Sequence, residues 1–435
     1  MKNKAAVIGA GLAGVEAAWA LANRGIDVTL YEMKPVKYTP AHHYEGFAEL
    51  VCSNSLKAAR IGSACGMLKE EMRMLGSLTM EAAERTAVPA GGALAVNREL
   101  FSDYITEKIK AHPAIEVVTK EVTDFPEKNT VIATGPLTSD AFAEIIQQRC
   151  GQPLSFYDAA APIVTAESID MTKAFFATRY DKGEADYINC PMNKEEYEAF
   201  YNALVTAESV ELKQFENLTV YEGCMPVEVL AKRGIESVRY GCMKPVGLVD
   251  PRTGHRPWAA VQLRKENTAG TLYNLVGFQT NLKFPEQKRV FSMIPGLENA
   301  QFMRYGVMHR NTFLNSPLLL DDRFMLKGSD GIYFAGQITG VEGYVESAMS
   351  GIVAGQSLAR RLLGDERLPL PETTMTGALC GYVRTENKDF QPMGANMGIL
   401  PPLPDRIKDK KLRYRTIADR GLSDLRAALA SQAEL

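Results

Sequence analysis

The feature that most constrains this chain is a glycine loop close to its first residue. Ala5-Ala6-Val7-Ile8 is a short apolar run that ends in Gly9-Ala10-Gly11-Leu12-Ala13-Gly14. Helical periodicity follows from Val15 to about Asn23, with Gly25 as the stop. Ile26-Asp27-Val28-Thr29-Leu30-Tyr31 then reads as a second strand, which completes a β-α-β unit of the length a parallel crossover requires. Glycines at 9, 11 and 14 allow a tight turn and bring amide groups at a helix N-terminus up to a diphosphate, where the helix dipole favours an anion. Glu32, 18 residues beyond Gly14, stands where a carboxylate accepts hydrogen bonds from ribose hydroxyls. Gly9, Ala10, Gly11, Leu12, Ala13, Gly14 and Glu32 are therefore the candidate dinucleotide site.

Two later segments select the dinucleotide. Thr130-Val131-Ile132-Ala133-Thr134-Gly135 is a buried strand running into a glycine turn, and Ile332-Tyr333-Phe334-Ala335-Gly336-Gln337 repeats that pattern late in the chain. Flavoproteins carry such a pair, which favours FAD over NAD and adds Gly135, Gly336 and Gln337 to the candidate cofactor residues. Gln337 takes the place of the acidic residue that normally binds the ribityl chain. No second Gly-x-Gly-x-x-Gly occurs, so NADH or NADPH is expected only as a transient reductant. Val345 to Arg361 reads as a helix with small residues on one face, and its N-terminus is led in by Gly340-Val341-Glu342-Gly343.

The chain has 435 residues, more than one ordinary domain holds. The predicted class is α/β, a Rossmann-like FAD-binding domain of the glutathione-reductase type with an inserted α+β domain. The cofactor lobe is assigned to 1–179 and 300–435, and the insert, with short strands, turn signals and one helix, to 180–299. Hydrophobic residues make up 46% and charged residues 23%, which is ample for a packed core. The net charge of −3 gives no global attraction to a polyanion, so RNA binding would rest on local basic patches. The segment Arg406 to Arg420 is the best such patch, with seven Lys or Arg against two Asp. An exposed basic helix face is the plainer reading of that stretch.

Seven cysteines without a Cys-x-x-Cys pair argue against a disulfide framework or a metal site. With neither a secretory signal nor a run of about 18 apolar residues, a cytoplasmic protein with no membrane segment is expected. Most lone cysteines are small buried hydrophobes. Cys52, in Glu49-Leu50-Val51-Cys52-Ser53-Asn54, and Cys224, in Gly223-Cys224-Met225-Pro226, instead stand in loop-like segments, and a thiolate is a strong nucleophile when its pKa is lowered. His309-Arg310-Asn311-Thr312 and Lys244 to Gly254 concentrate cationic and hydrogen-bonding groups suited to folate tails or RNA phosphates, or to a solvated surface.

Together these segments resemble one family, the folate- and FAD-dependent tRNA uracil-5-methyltransferases known as TrmFO. The resemblance runs through Gly9–Gly14, Phe47 to Leu56 around Cys52, Gly223-Cys224-Met225-Pro226, Lys244 to Gly254, Arg304 to Thr312, Phe334 to Gly351 and Leu400-Pro401-Pro402-Leu403. Gly394 and Met397 depart from it, since the family prefers Asn and Phe there. The sister family that modifies wobble uridine shares the Phe334-to-Gln337 motif but not the segments around Cys224 and His309. The resemblance implies methylenetetrahydrofolate-dependent methylation of C5 of uridine 54 in the tRNA T-loop, with FAD as reductant and methylene carrier. It further implies Cys224 as the nucleophile that adds to uracil C6, Cys52 as a second thiol near the flavin, and tRNA, folate and a nicotinamide as the partners, with no obligate protein partner. A small-molecule FAD oxidoreductase, a wobble-uridine-modifying flavoprotein of the sister family and a non-catalytic RNA-binding scaffold are the competing expectations.

Overall fold

A computed structural model describes residues 3–151, 153–181, 185–210, 225–388 and 390–433. Its first lobe is built on five parallel strands in the spatial order Asp330–Phe334, Lys128–Ile132, Lys4–Ile8, Asp27–Glu32, Ile115–Thr119. Val7 is the centre of the register, opposite Leu30 on one side and Val131 on the other, and all three are buried. Such continuous apolar strands need a layer on each face of the sheet. The order is that of a Rossmann-type sheet, whose ligands sit beyond the carboxyl ends of the strands.

The opening helix Leu12–Ala22 packs against the long helix Tyr344–Leu363 through small residues. Gly351 and Gly355 face Ala13 and Ala17. A side chain on Gly351 would strike the Ala13 carbonyl, and one on Gly355 would come within 2.6 Å of the Ala17 oxygen. The two backbones therefore meet with nothing between them.

The second lobe is a six-stranded antiparallel sheet ordered Phe175–Phe176, Tyr187–Met192, Ala259–Lys265, Leu272–Leu275, Ile163–Thr165, Phe302–Arg304. It has its own core, with Phe200, Leu204, Val261, Leu275, Phe278 and Phe291 all fully buried. The sheet recruits strands on both sides of the 180–299 range. Where one helix is expected within that range, four are present among the described residues: Lys194–Thr206, Val227–Ala231, Ile235–Tyr240 and Phe284–Phe291. Strands of two or three residues and helices of five or six leave too little periodicity to read, and partners distant in sequence complete them. An antiparallel ladder of Leu154–Ala159 with Met308–Phe313 joins the lobes.

Two buried glutamates hold helix N-termini in the first lobe. Glu16 accepts hydrogen bonds from the Ser77 and Thr79 hydroxyls and from the amides of Leu78 and Thr79, at the start of Leu78–Arg85. Glu71 accepts from the Met375 and Thr376 amides and the Thr376 hydroxyl, at the start of Met375–Arg384. Burial pushes both carboxyls up to about 7, against the opposing pull of these donors. The folded chain therefore holds more protons than the unfolded chain between the ordinary carboxylate value and 7. That contribution to stability is complete below the unfolded value and lost as pH rises through 7. The urea midpoint is expected to fall between about pH 5 and about pH 8, and Glu16→Ala to flatten the fall while costing about 1–3 kcal/mol for donors left unmatched. Equal pH dependence in the two proteins would rule the assignment out.

Candidate functional site

The carboxyl ends of the parallel strands open onto a cleft that runs from the glycine loop to the junction of the lobes. Gly9 has φ +97°, and a Cβ there would lie 2.6 Å from the Ala133 carbonyl oxygen, so only glycine fits. The opening helix is capped by Gly11 without any side-chain hydrogen bond, and its first turn carries no acidic residue. Its leading amides are thus left for a ligand anion. Gly14 sits behind the loop, where a side chain would collide with the Gly9 carbonyl. The other candidate cofactor residues all line the cleft.

Glu32 is held at the rim by two amides, Ala10 N donating to Oε2 at 2.8 Å and Lys34 N to Oε1 at 2.9 Å. Each carboxylate oxygen accepts more than one hydrogen bond, so capacity for a diol remains. Gly336 donates its amide to Ser350 Oγ at 2.7 Å, and Gln337 donates from Nε2 to Glu342 Oε2 at 2.8 Å. Gln337 therefore occupies the acidic position of the usual pattern while being tied to an acid five residues on. That pairing is not visible in the spacing alone.

Cys52 lines the same cleft, and its backbone is held from several sides. Tyr344 Oη accepts from the Cys52 amide at 2.6 Å and the Ser53 amide at 3.1 Å. Arg98 donates to the carbonyls of Leu50 at 2.7 Å and Cys52 at 3.5 Å, and its Nε donates to Glu266 Oε2 at 2.7 Å. Arg264 of the second lobe donates to Ser53 Oγ and Asn54 Oδ1, and Asn54 donates back to the Lys265 carbonyl. The Cys52 segment is thus tied by hydrogen bonds to both lobes. The Cys52 thiol reaches the Ala159 carbonyl at 3.8 Å, and burial pushes the Tyr344 phenol above its ordinary value. Sequence reasoning missed Arg98 and Tyr344 as residues of the site. Tyr344 had a signal, since it directly follows the Gly340–Gly343 loop, whereas nothing local marks Arg98.

Cys224 lies outside the described residues, as do the side chains of His309 and Arg310. Asn311, from the same motif, is buried and lines the cleft. The Lys244–Gly254 segment is a tied turn in which Asp250 accepts from Arg252 at 3.0 and 2.7 Å, so this arginine already has an anion. Gly394 packs by Glu342, where a Cβ would approach the carbonyl oxygen to 3.1 Å. Among the described residues no cluster of three metal-ligating side chains occurs, and no helix is long and apolar enough to cross a membrane.

A family model described as glucose inhibited division protein A matches residues 4–366. A protein of Halalkalibacterium halodurans described as methylenetetrahydrofolate–tRNA-(uracil-5-)-methyltransferase TrmFO is 58% identical over 421 residues, covering 96% of this chain and 97% of that relative. One of the same description from Acetivibrio thermocellus is 59% identical over 423 residues, covering 97% of each. This chain belongs to the TrmFO family. The TrmFO fold is shared with Aquifex aeolicus GidA, whose two crystal forms align at TM-scores of 0.69 and 0.71 with 16% identity, covering 99% and 98% of this chain and 76% of that one. In this TrmFO-family chain the glycine loop, Glu32 and Cys52 are all brought to one cleft, and the lobe junction forms its far wall.

Proposed function

We propose that this TrmFO-family chain transfers the methylene carbon of 5,10-methylenetetrahydrofolate to C5 of a tRNA uridine, position 54 of the T-loop, and reduces it to methyl. The observation that carries the reading is identity of 58–59% to TrmFO proteins over almost the whole of both chains. The cleft supports FAD as the resident cofactor, because its uncapped helix N-terminus, its close-packed glycine turn and Glu32 suit a diphosphate and an adjoining ribose. Bound there, FAD would supply the hydride for reduction, having received it from NADH or NADPH.

The chain's own residues do the rest. Gly9 to Gly14 hold the diphosphate by backbone amides, Glu32 takes the ribose hydroxyls, and Gly135, Gly336 and Gln337 border the remainder of the cofactor. Uracil C5 is a weak nucleophile, so the Cys224 thiolate adds to C6 and places an enolate across C5. C5 forms its bond to the one-carbon unit and gives its proton to a base. The resulting enolate expels the amine nitrogen of the one-carbon carrier, leaving an exocyclic methylene with Cys224 still on C6; hydride adds to that methylene, and the enolate so formed expels the Cys224 thiolate and restores the C5–C6 double bond. Cys52 acts at the ring end of the cleft, held by Tyr344 and Arg98. The second lobe takes the tRNA and folate, with the uridine turned out of its loop to reach the cleft. A cytoplasmic setting fits a tRNA substrate.

The test is incubation of the purified protein with undermodified tRNA, methylenetetrahydrofolate and NADPH, followed by nucleoside mass spectrometry. Formation of 5-methyluridine at position 54 is expected. Turnover of NADPH that needs neither folate nor RNA, and is unchanged by Cys224→Ala, would replace this reading with a small-molecule oxidoreductase.

A further inference from the structure

Positive charge is unevenly spread on this chain, whose net charge is −3. Five residues beyond Cys52, Lys57 lies on the short strand Ser55–Ala58, with its side chain 45% exposed and its Nζ 2.9 Å from Glu346. Arg60 follows and is exposed. Its neighbour Gly62 abuts the C-terminal helix Lys410–Ala433, where an added Cβ would lie 3.8 Å from Arg415 Cα. The chain entering that helix brings Arg406 and Lys408, and its first turns carry Lys410, Lys411, Arg413 and Arg415. Arg406, Lys408, Lys410 and Lys411 are exposed.

The acids nearby are partly spent. Asp409 caps the helix, accepting from the Leu412 amide at 2.7 Å, and Asp419 pairs with Arg415 at 2.9 Å. The helix itself is fixed. Ile417, Ala418, Leu422 and Leu425 are buried, and Gly421 lies against Met67 of the helix Ala64–Met74, which begins just after Arg60 and Gly62. Tyr414 packs on the main core and is flanked by Lys410 Nζ at 5.5 Å and Arg413 at 5.4 Å from its ring centre. The cations therefore stand on a rigid base.

We propose that Arg60 and the entry to the C-terminal helix form one phosphate-binding track, which leads an RNA backbone toward Cys52. The proposal rests on the tRNA reading above and adds a first-lobe surface that meets the RNA backbone beside the second lobe. Sequence-independent affinity for nucleic acid comes from Lys and Arg neutralising phosphates and releasing counterions. On a chain with net negative charge only a local concentration does this. This one begins at Arg60, within about 26 Å of extended chain from Cys52, just past the strand that the Cys52 segment runs into.

The test uses full-length protein carrying Lys408→Glu, Lys410→Glu and Lys411→Glu together, and a second variant with Arg60→Glu alone. Binding of fluorescently labelled undermodified tRNA is measured by anisotropy across a salt series, beside NADPH-driven flavin reduction without RNA. The triple variant is expected to bind at least about 10-fold more weakly, with the slope of log K against log salt reduced by about 2–3 for three lost phosphate contacts. Arg60→Glu is expected to weaken binding in the same direction, and flavin reduction to stay unchanged in both. Unaltered affinity and slope in both variants, while the unsubstituted protein binds and methylates tRNA, would overturn the track alone. An unsubstituted protein that binds no tRNA would overturn the functional reading with it.

Discussion

Cys224→Ser is expected to lower 5-methyluridine formation by at least about 10³-fold, the scale on which loss of a covalent nucleophile acts. The reason is chemical. Serine at neutral pH supplies almost no alkoxide, so the uracil ring is not saturated at C6 and C5 stays unreactive. Flavin binding and its reduction by NADPH should be untouched, because the glycine loop, Glu32 and Gln337, the residues proposed to seat the cofactor, are left intact. Cys52→Ala separates the two thiols, since loss of methylation there is expected together with an altered flavin spectrum, given that Cys52 lines the cleft itself. Single-turnover assays with absorbance monitoring check both. Methylation by Cys224→Ser within about 10-fold of the parent rate would end the nucleophile assignment.

The second large effect is structural. Gly14→Val is expected to yield protein that binds FAD at least about 100-fold more weakly, equivalent to about 2.7 kcal/mol, or that purifies without colour. Any side chain at 14 collides with the Gly9 carbonyl, and Gly9 is itself confined between that contact and Ala133 by a φ of +97°. The clash has nowhere to go except into the turn that shapes the helix N-terminus. A destabilisation of about 1–3 kcal/mol should accompany it, as for other overpacked sites. Equilibrium dialysis against FAD, read beside a urea melt, distinguishes cofactor loss from unfolding. A yellow protein of parental stability would show that the loop is not the diphosphate seat.

Much of the cofactor lobe was legible because its signals are local. A strand, three glycines at fixed spacing, a helix and a terminal carboxylate declare themselves within the first 32 residues, and the strands at Lys128–Ile132 and Asp330–Phe334 repeat the same apolar grammar. The Cys52 motif also reached the cleft. What escaped is long-range. Ile163–Thr165 is a strand only because Leu272–Leu275 pairs with it on one side and Phe302–Arg304 on the other, and Phe302–Arg304 only because it pairs with Ile163–Thr165. Glu16 and Glu71 look like exposed helix glutamates, yet each is buried as the cap of a helix far along the chain. Arg98 gives no hint in its own neighbourhood that its side chain braces Cys52 against Glu266.

The helix Tyr344–Leu363 touches both ends of this chemistry. Its middle is locked by Gly351 and Gly355 onto the segment that begins at the glycine loop, and its first residue offers the hydroxyl on which the Cys52 and Ser53 amides hang. With no side chains between the two helices to take up slack, the pair moves as one strut. Any displacement of the glycine loop on one side of this pair would therefore be shared with the tyrosine that holds Cys52 on the other.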